Sequence, residues 1–322
     1  MIVVTGATGF VGRYLIDLLA TQKKDVLACG RSTKYARFFE DLRVPFLPLD
    51  VTRPEDFGRL PNSGVEAFVH LAAVIPAAVP DIKTDAFLKV NTLGTFYSLE
   101  YCRRHGIKRF VFSTTLYEGL EHTQLPITEQ MGRRFAMTGD HAAYVISKIA
   151  ASDYVEHYTQ EFGLQGIILR FTGLLGYGRQ EGYYADGVFH PSAFEVFYRR
   201  AKEGLPLEIW GEGKTCRDSL YVKDAARAIL AAIRSEKGRG LYLIGSGSGR
   251  TVAEEVITFA EVFGTPQRPV PVIRRPELED KKKSYYFDIS KAKAELGWEP
   301  RYTLAEVLRD YDNEVASGRF VL

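Results

Sequence analysis

Short apolar runs alternate with helical spacing through the first half of this chain. Runs at 2–4, 25–29, 45–48, 67–71, 109–113 and 164–169 predict six strands, and the patterns between them predict helices beginning near Phe10, Tyr35, Asp56, Asn91 and Tyr144. Strands that are apolar on both sides belong inside a parallel sheet with helices on each face, so the expected fold is α/β, a doubly wound sheet of the Rossmann type. Beyond Arg170 the alternation decays into a glycine-rich stretch at 173–187. Segments 220–233 and 241–244 read as returning to the main sheet, whereas 189–204 and 251–264 read as helices of a smaller lobe. The expected division is therefore a large domain over 1–170, with segments near 215–246 returning to it, and a smaller C-terminal α/β lobe over 171–322.

The first strand runs straight into three glycines spaced three apart, Gly6, Gly9 and Gly12. Gly6 suits a tight strand-to-helix turn, Gly9 lets backbone N–H groups approach a pyrophosphate, and Gly12 lets the next helix pack closely on the sheet. A phosphate would then lie at the positive end of that helix. This makes 1–170 a dinucleotide-binding domain and leaves 171–322 mainly for substrate.

Bulk properties narrow the partners. The formal net charge of +2 over 322 residues gives no reason to expect nucleic acid or an anionic membrane. No apolar run is long enough to span a bilayer and Met1 leads directly into a strand, so a cytoplasmic protein is expected. Cys29, Cys102 and Cys216 are odd in number and widely spaced, which fits reduced thiols. His70, His105, His122 and His190 form no metal-ligand spacing, and no metal is expected.

The residues able to carry chemistry come later. Tyr144 and Lys148 fall one helical turn apart and share a face. A phenol with a pKa of ~10 is a poor base at neutral pH, and a neighbouring ammonium would lower that value. Ser113-Thr114-Thr115 closes the fifth predicted strand, at the sheet edge where open α/β folds bind ligands. Two other glycine clusters are turns: Gly213-Lys214-Thr215 is preceded by Glu208 where a triphosphate loop needs glycine, and 245–249 lacks a following lysine.

In this order the motifs resemble the extended short-chain dehydrogenase/reductase superfamily, and within it the NAD-dependent epimerase/dehydratase family that acts on nucleotide sugars. The resemblance covers nearly the whole chain. It implies a cofactor loop of Gly6, Thr8, Gly9, Phe10, Val11 and Gly12, adenine contacts from Asp50 and Val51, and a stretch against the cofactor at Leu71, Ala72 and Ala73. Asn91 opens the next helix of that pattern, and Thr115, Tyr144 and Lys148 take the catalytic positions, with Tyr144 and Lys148 also touching cofactor. Arg217 and Arg275 match the arginines that contact the substrate diphosphate, a role suited to the bidentate guanidinium. Pairing of Arg217 with Asp218 or another carboxylate is the plainer alternative. A homodimer through helices at 91–105 and 144–162 is implied too.

The chain departs from the family pattern in three places. Gly30 stands where NAD users carry an acid for the ribose, and Arg31 and Ser32 follow it. That change favours NADP, with Arg31 as the main contact to a 2′-phosphate, although Arg31 stacked on adenine would still admit NAD. Gly173 replaces an asparagine that touches the substrate diphosphate. Leu116-Tyr117-Glu118 lacks the Asp-Glu pair of the 4,6-dehydratases, which disfavours dehydration unless Glu118 or Glu121 stands in. The expected activity is epimerisation or reduction of a nucleotide-diphosphate sugar by tyrosine-assisted hydride transfer. The alternatives are an NADP-dependent reductase of a non-nucleotide carbonyl compound and a non-catalytic nucleotide sensor of the same fold.

Overall fold

A computed structural model describes residues 1–76, 83–139, 141–179, 181–185, 188–278 and 282–320. Six strands follow the expected order: β1 (Ile2–Thr5), β2 (Val26–Gly30), β3 (Phe46–Pro48), β4 (Ala67–His70), β5 (Arg109–Thr115) and β6 (Gln165–Phe171). With the Gly240–Ile244 strand outside β6 they make one parallel seven-stranded sheet, whose order from that edge is 240–244, β6, β5, β4, β1, β2, β3. The doubly wound architecture is thus the one expected. The sheet reverses direction of growth at β1 and β4, so the C-terminal ends of these strands open a crevice.

Alternation along β1 divides the core in two. Ile2 and Val4 join Leu15, Ile16 and Leu19 of α1 (Phe10–Thr21) and Ile229 of the Val222–Arg234 helix, while Val3 joins Phe68, Leu99 and Phe110 on the other face. Burial of each such side chain is worth about 1.5–3 kcal/mol. A third core lies in the smaller lobe, where Tyr198, Val256, Phe259, Leu304 and Leu308 cover a two-stranded ladder of Leu207–Trp210 with Val272–Arg275.

Several elements differ from the sequence expectation. The helix expected near Asn91 begins earlier, at Thr84–Ala86, and passes through a π-helical turn, Phe87–Leu93, into Gly94–Arg104. Near Asp56 there is only a 3-10 turn, Pro54–Arg59. Segment 189–204 is not all helix: Val188–Pro191 pairs with Gly182–Ala185, and the helix Ala193–Glu203 starts after Ser192 accepts from the N–H of Glu195 at 3.2 Å. At 220–233 only the Val222–Arg234 helix rejoins the large body, against α1, because Ser219–Tyr221 pairs instead with Gly173–Leu175.

The two bodies meet along α1. Tyr14 stacks on Phe320 at 4.0 Å and donates to the carbonyl of Tyr177 at 3.0 Å. Among the described residues no helix is long and apolar enough to cross a membrane.

Candidate active site

Close backbone approach explains two of the three glycines. Gly6 has φ +74°, and a Cβ there would lie 2.5 Å from the Ala72 nitrogen; at Gly12 it would lie 2.3 Å from the Gly6 carbonyl oxygen. Gly9 caps α1 with no side-chain hydrogen bond, and the first turn carries no acid. The N–H groups of that turn are therefore open to an anion. Thr8, Phe10 and Val11 are half-buried around the turn, and Leu71, Ala72 and Ala73 follow β4 beside it. These residues fit a dinucleotide diphosphate on steric and electrostatic grounds.

At the end of β2, Gly30 is buried and the space beyond its Cα is filled: a Cβ would meet Cγ2 and Oγ1 of Thr8 at 2.9 Å. Arg31 and Ser32 are exposed just beyond. Asp50 accepts from the N–H and hydroxyl of Thr52 at 3.0 and 2.8 Å; these bonds and the nearby Arg31 outweigh desolvation and hold its carboxyl below the usual range. Val51 packs against Gly94, where a Cβ would be 2.7 Å from its Cγ2. Asn91 is engaged within the protein. Its side-chain oxygen accepts from Val74 N–H at 2.8 Å, and its amide donates to Val74 O and Ser147 Oγ at 3.0 Å each, so it fastens the loop after β4 to the Ala142–Phe162 helix. Sequence spacing gives no sign of those partners.

Thr115, Tyr144 and Lys148 come together where β5 meets the Ala142–Phe162 helix. Thr115 accepts from Tyr117 N–H at 3.3 Å, and its hydroxyl faces the Tyr144 phenol. Burial raises the Tyr144 pKa well above that of a free phenol; the Thr115 hydroxyl pulls it down, while Glu118 and Tyr117 push it up. Lys148 is not the group that lowers it. Its ammonium lies over the Phe112 ring at 4.1 Å, and burial drops its own pKa to about 7 against an upward pull from Glu118. Burial thus dominates the Tyr144 phenol in this arrangement, an effect that residue spacing does not report.

Glu118 turns out to be a buried anchor. It is 1% exposed, receives the Thr114 hydroxyl and pairs with Arg170 at 2.5 Å. Glu121 pairs with Lys283 at the surface. Each of these carboxylates is thus engaged by a cation.

The cleft continues into the second body. The Tyr117 ring lies tilted against His141 at 4.3 Å, and the charge of Arg179 acts on both Tyr117 and Tyr285. A Cβ at Gly173 would approach the Tyr285 hydroxyl at 3.5 Å, so tyrosine occupies the neighbourhood of the missing asparagine. Arg217 lies on the Cys216–Arg217 strand opposite Arg250, and both act on the carboxyl of Glu255. Asp218 points elsewhere, accepting from the N–H groups of Ser246 at 2.7 Å and Phe287 at 3.2 Å. Arg275 is not brought into this group: it pairs with Glu208 at 3.2 Å on the Leu207–Trp210 ladder. Among the described residues no three His, Cys, Asp or Glu side chains converge as a metal site. The three cysteines are unpaired thiols.

A parallel doubly wound sheet with a glycine cradle and a Thr-Tyr-Lys group defines a dehydrogenase-like α/β protein. Residues 2–245 match the NAD dependent epimerase/dehydratase family, and the chain belongs to that family. The UDP-glucose 4-epimerase of Corynebacterium glutamicum is 28% identical over 309 residues, covering 94% of this chain and 91% of that one. Among solved structures, the UDP-glucose 4-epimerase of Thermotoga maritima with UDP-glucose superposes with a TM-score of 0.79 at 26% identity, covering 98% and 99% of the two chains. The UDP-glucose 4-epimerase of Thermus thermophilus in complex with NAD gives 0.73 at 25%, covering 98% of each.

Proposed function

We propose that this protein interconverts nucleotide-diphosphate sugars by oxidising and re-reducing one ring carbon, as a nicotinamide-dependent epimerase. The observation that carries the reading is the juxtaposition of the Thr115 hydroxyl and the Tyr144 phenol at the end of β5, which β4 alone separates from the strand that leads into the Gly6–Gly12 cradle. The relatives named above supply the substrate class, UDP-hexose.

A nicotinamide dinucleotide, when bound, supplies the hydride acceptor and then the hydride donor. Gly6, Thr8, Gly9 and Gly12 would hold its diphosphate, and Leu71 to Ala73 would flank it. In its ionised form Tyr144 takes the hydroxyl proton as the sugar carbon becomes a ketone, and returns it when the carbon is reduced on its other face. Thr115 hydrogen-bonds the reacting oxygen and holds Tyr144 at the same time. Lys148, with a pKa of about 7, retains partial charge near neutrality beside them. Arg217, Arg250 and Arg179 present positive charge to a diphosphate across the cleft.

For the cofactor we favour NADP, with NAD as the form bound in the Thermus relative. Gly30 lacks the acid that grips an unphosphorylated ribose, and the exposed Arg31 offers a cation in its place. The same observation supports a second reading, a reductase that releases its oxidised cofactor after each turnover. Incubating the protein with UDP-glucose and each cofactor separates them: epimerisation yields UDP-galactose at constant absorbance at the nicotinamide band, whereas reduction of a keto-sugar consumes that absorbance. Neither change with any nucleotide sugar would sink both.

The 171–322 segment supplies most of the substrate lobe in this reading. We also propose a homodimer through the Gly94–Arg104 and Ala142–Phe162 helices, the second of which leaves Ile146, Tyr154 and Phe162 exposed, with Tyr154 packed edge-on against Phe96 of the first. Sedimentation equilibrium tests it, and a monomer at micromolar concentration contradicts it.

A further inference from the structure

The first turns of α1 carry more than the cradle. Three of its residues, Phe10 and, one turn on, the adjacent Arg13 and Tyr14, each touch one of three consecutive residues in the second body. Phe10 lies where a Cβ on Gly176 would be 3.0 Å from its ring; Tyr14 donates to Tyr177 O at 3.0 Å; Arg13 donates to Gly178 O at 2.8 Å. Arg13 also reaches back to the cradle, donating to Thr8 O at 2.6 Å. Its guanidinium is 3% exposed, lies over Tyr35 at 4.3 Å, and pairs with no carboxylate among the described residues. A buried cation held only by two carbonyl oxygens and a ring fixes the relative position of the groups it bridges. The next residue along is Arg179, which faces Tyr117 and Tyr285 in the cleft.

We propose that Arg13 is a positioning residue that couples the glycine cradle to the 176–179 loop, so that cofactor and sugar nucleotide bind with positive cooperativity. When the cradle is ordered by a diphosphate, the Thr8 carbonyl is fixed. Arg13 transmits that order to Gly178, which lies so close that a Cβ there would be 3.0 Å from Arg13 Nη2 and 2.9 Å from the Phe320 carbonyl oxygen. Arg179 is then held in register with Tyr117. The inference rests on the proposed function, since it needs both ligands to bind.

The test titrates UDP calorimetrically into the full-length protein with and without saturating NADP or NAD, whichever binds tighter. Wild-type protein should bind UDP about tenfold more tightly when cofactor is present, a typical coupling magnitude. Arg13→Lys retains a cation but cannot span both carbonyls, and should bring that ratio to within about twofold while cofactor affinity falls less. An undiminished ratio in Arg13→Lys, or no ratio in the wild type, overturns the coupling and leaves the proposed function standing. Failure of the wild type to bind either nicotinamide cofactor overturns the function itself. Should the variant not fold, hydrogen exchange on the wild type decides: cofactor alone should slow the amides of 174–179, and unchanged exchange there refutes the proposal.

Discussion

The Thr115 hydroxyl faces the Tyr144 phenol and is the one influence that lowers its pKa, which burial otherwise pushes upward. Removing it should leave Tyr144 harder to ionise. Thr115→Val is expected to reduce turnover and to move the rise of activity with pH to higher pH, since the phenolate fraction at any given pH falls as the pKa climbs. Tyr144→Phe should lose about 10²–10⁴ in kcat while cofactor affinity stays near wild type. Stopped assays across pH, with calorimetric cofactor titrations, check both; residual turnover within tenfold of wild type in Tyr144→Phe removes that residue from its role.

Lys148 links stability to pH. Its pKa falls from the ordinary lysine value to about 7 on folding, through burial. Between those values the unfolded chain binds the proton and the folded one does not, so stability from this group rises with pH. The penalty is complete below about pH 7 and fades as pH climbs through the unfolded value of ~10.4. Lys148→Met should therefore be the more stable protein in acid and neutral solution. The gap should close by up to about 1.4 kcal/mol per pH unit across that window. Urea melts of both proteins from pH 6 to 10 measure it, and a gap independent of pH contradicts the assignment.

Cofactor choice can be tested through Gly30 and Thr8 together. Because a Cβ at position 30 meets Thr8 at 2.9 Å, Gly30→Asp alone should weaken binding of both cofactors. Gly30→Asp with Thr8→Ala restores the space and should favour NAD. Arg31→Ala should weaken NADP about tenfold, as expected for one charge-assisted phosphate contact, and leave NAD nearly unchanged. Dissociation constants for each pairing settle the point; NADP affinity untouched by Arg31→Ala would count against the whole assignment.

Glu118 and Arg170 form a buried ion pair, 1% and 3% exposed at the side chain. Glu118→Ala strands a guanidinium and should cost about 3–5 kcal/mol of stability. Replacing both, with Glu118→Leu and Arg170→Met, should cost less than the single change. Denaturant melts of the single and double variants make the comparison, and equal losses would mean the pair contributes through packing alone.

The sheet and its cradle were legible because apolar periodicity and glycine spacing are local properties of the chain. Tyr144 and Lys148 were legible as a same-face pair for the same reason. What depends on surroundings was not: the burial that raises the Tyr144 pKa and lowers that of Lys148, the hydrogen bonds of Asn91 to Val74, and the buried ion pair of Glu118 with Arg170. Arg275 matched a sequence pattern, yet Glu208 engages it on a neighbouring strand. Arg13 passed unremarked within the glycine motif, because its two carbonyl partners, Thr8 and Gly178, lie on separate bodies.

The stacking of Phe320 on Tyr14 bears on how the molecule is made. Phe320 is synthesised long after α1, so a nascent chain on the ribosome carries that helix with part of its aromatic cover missing through nearly all of translation. During that interval Tyr14 presents a sticky surface that chaperones or neighbouring chains can reach, and only the late arrival of Phe320 seals it.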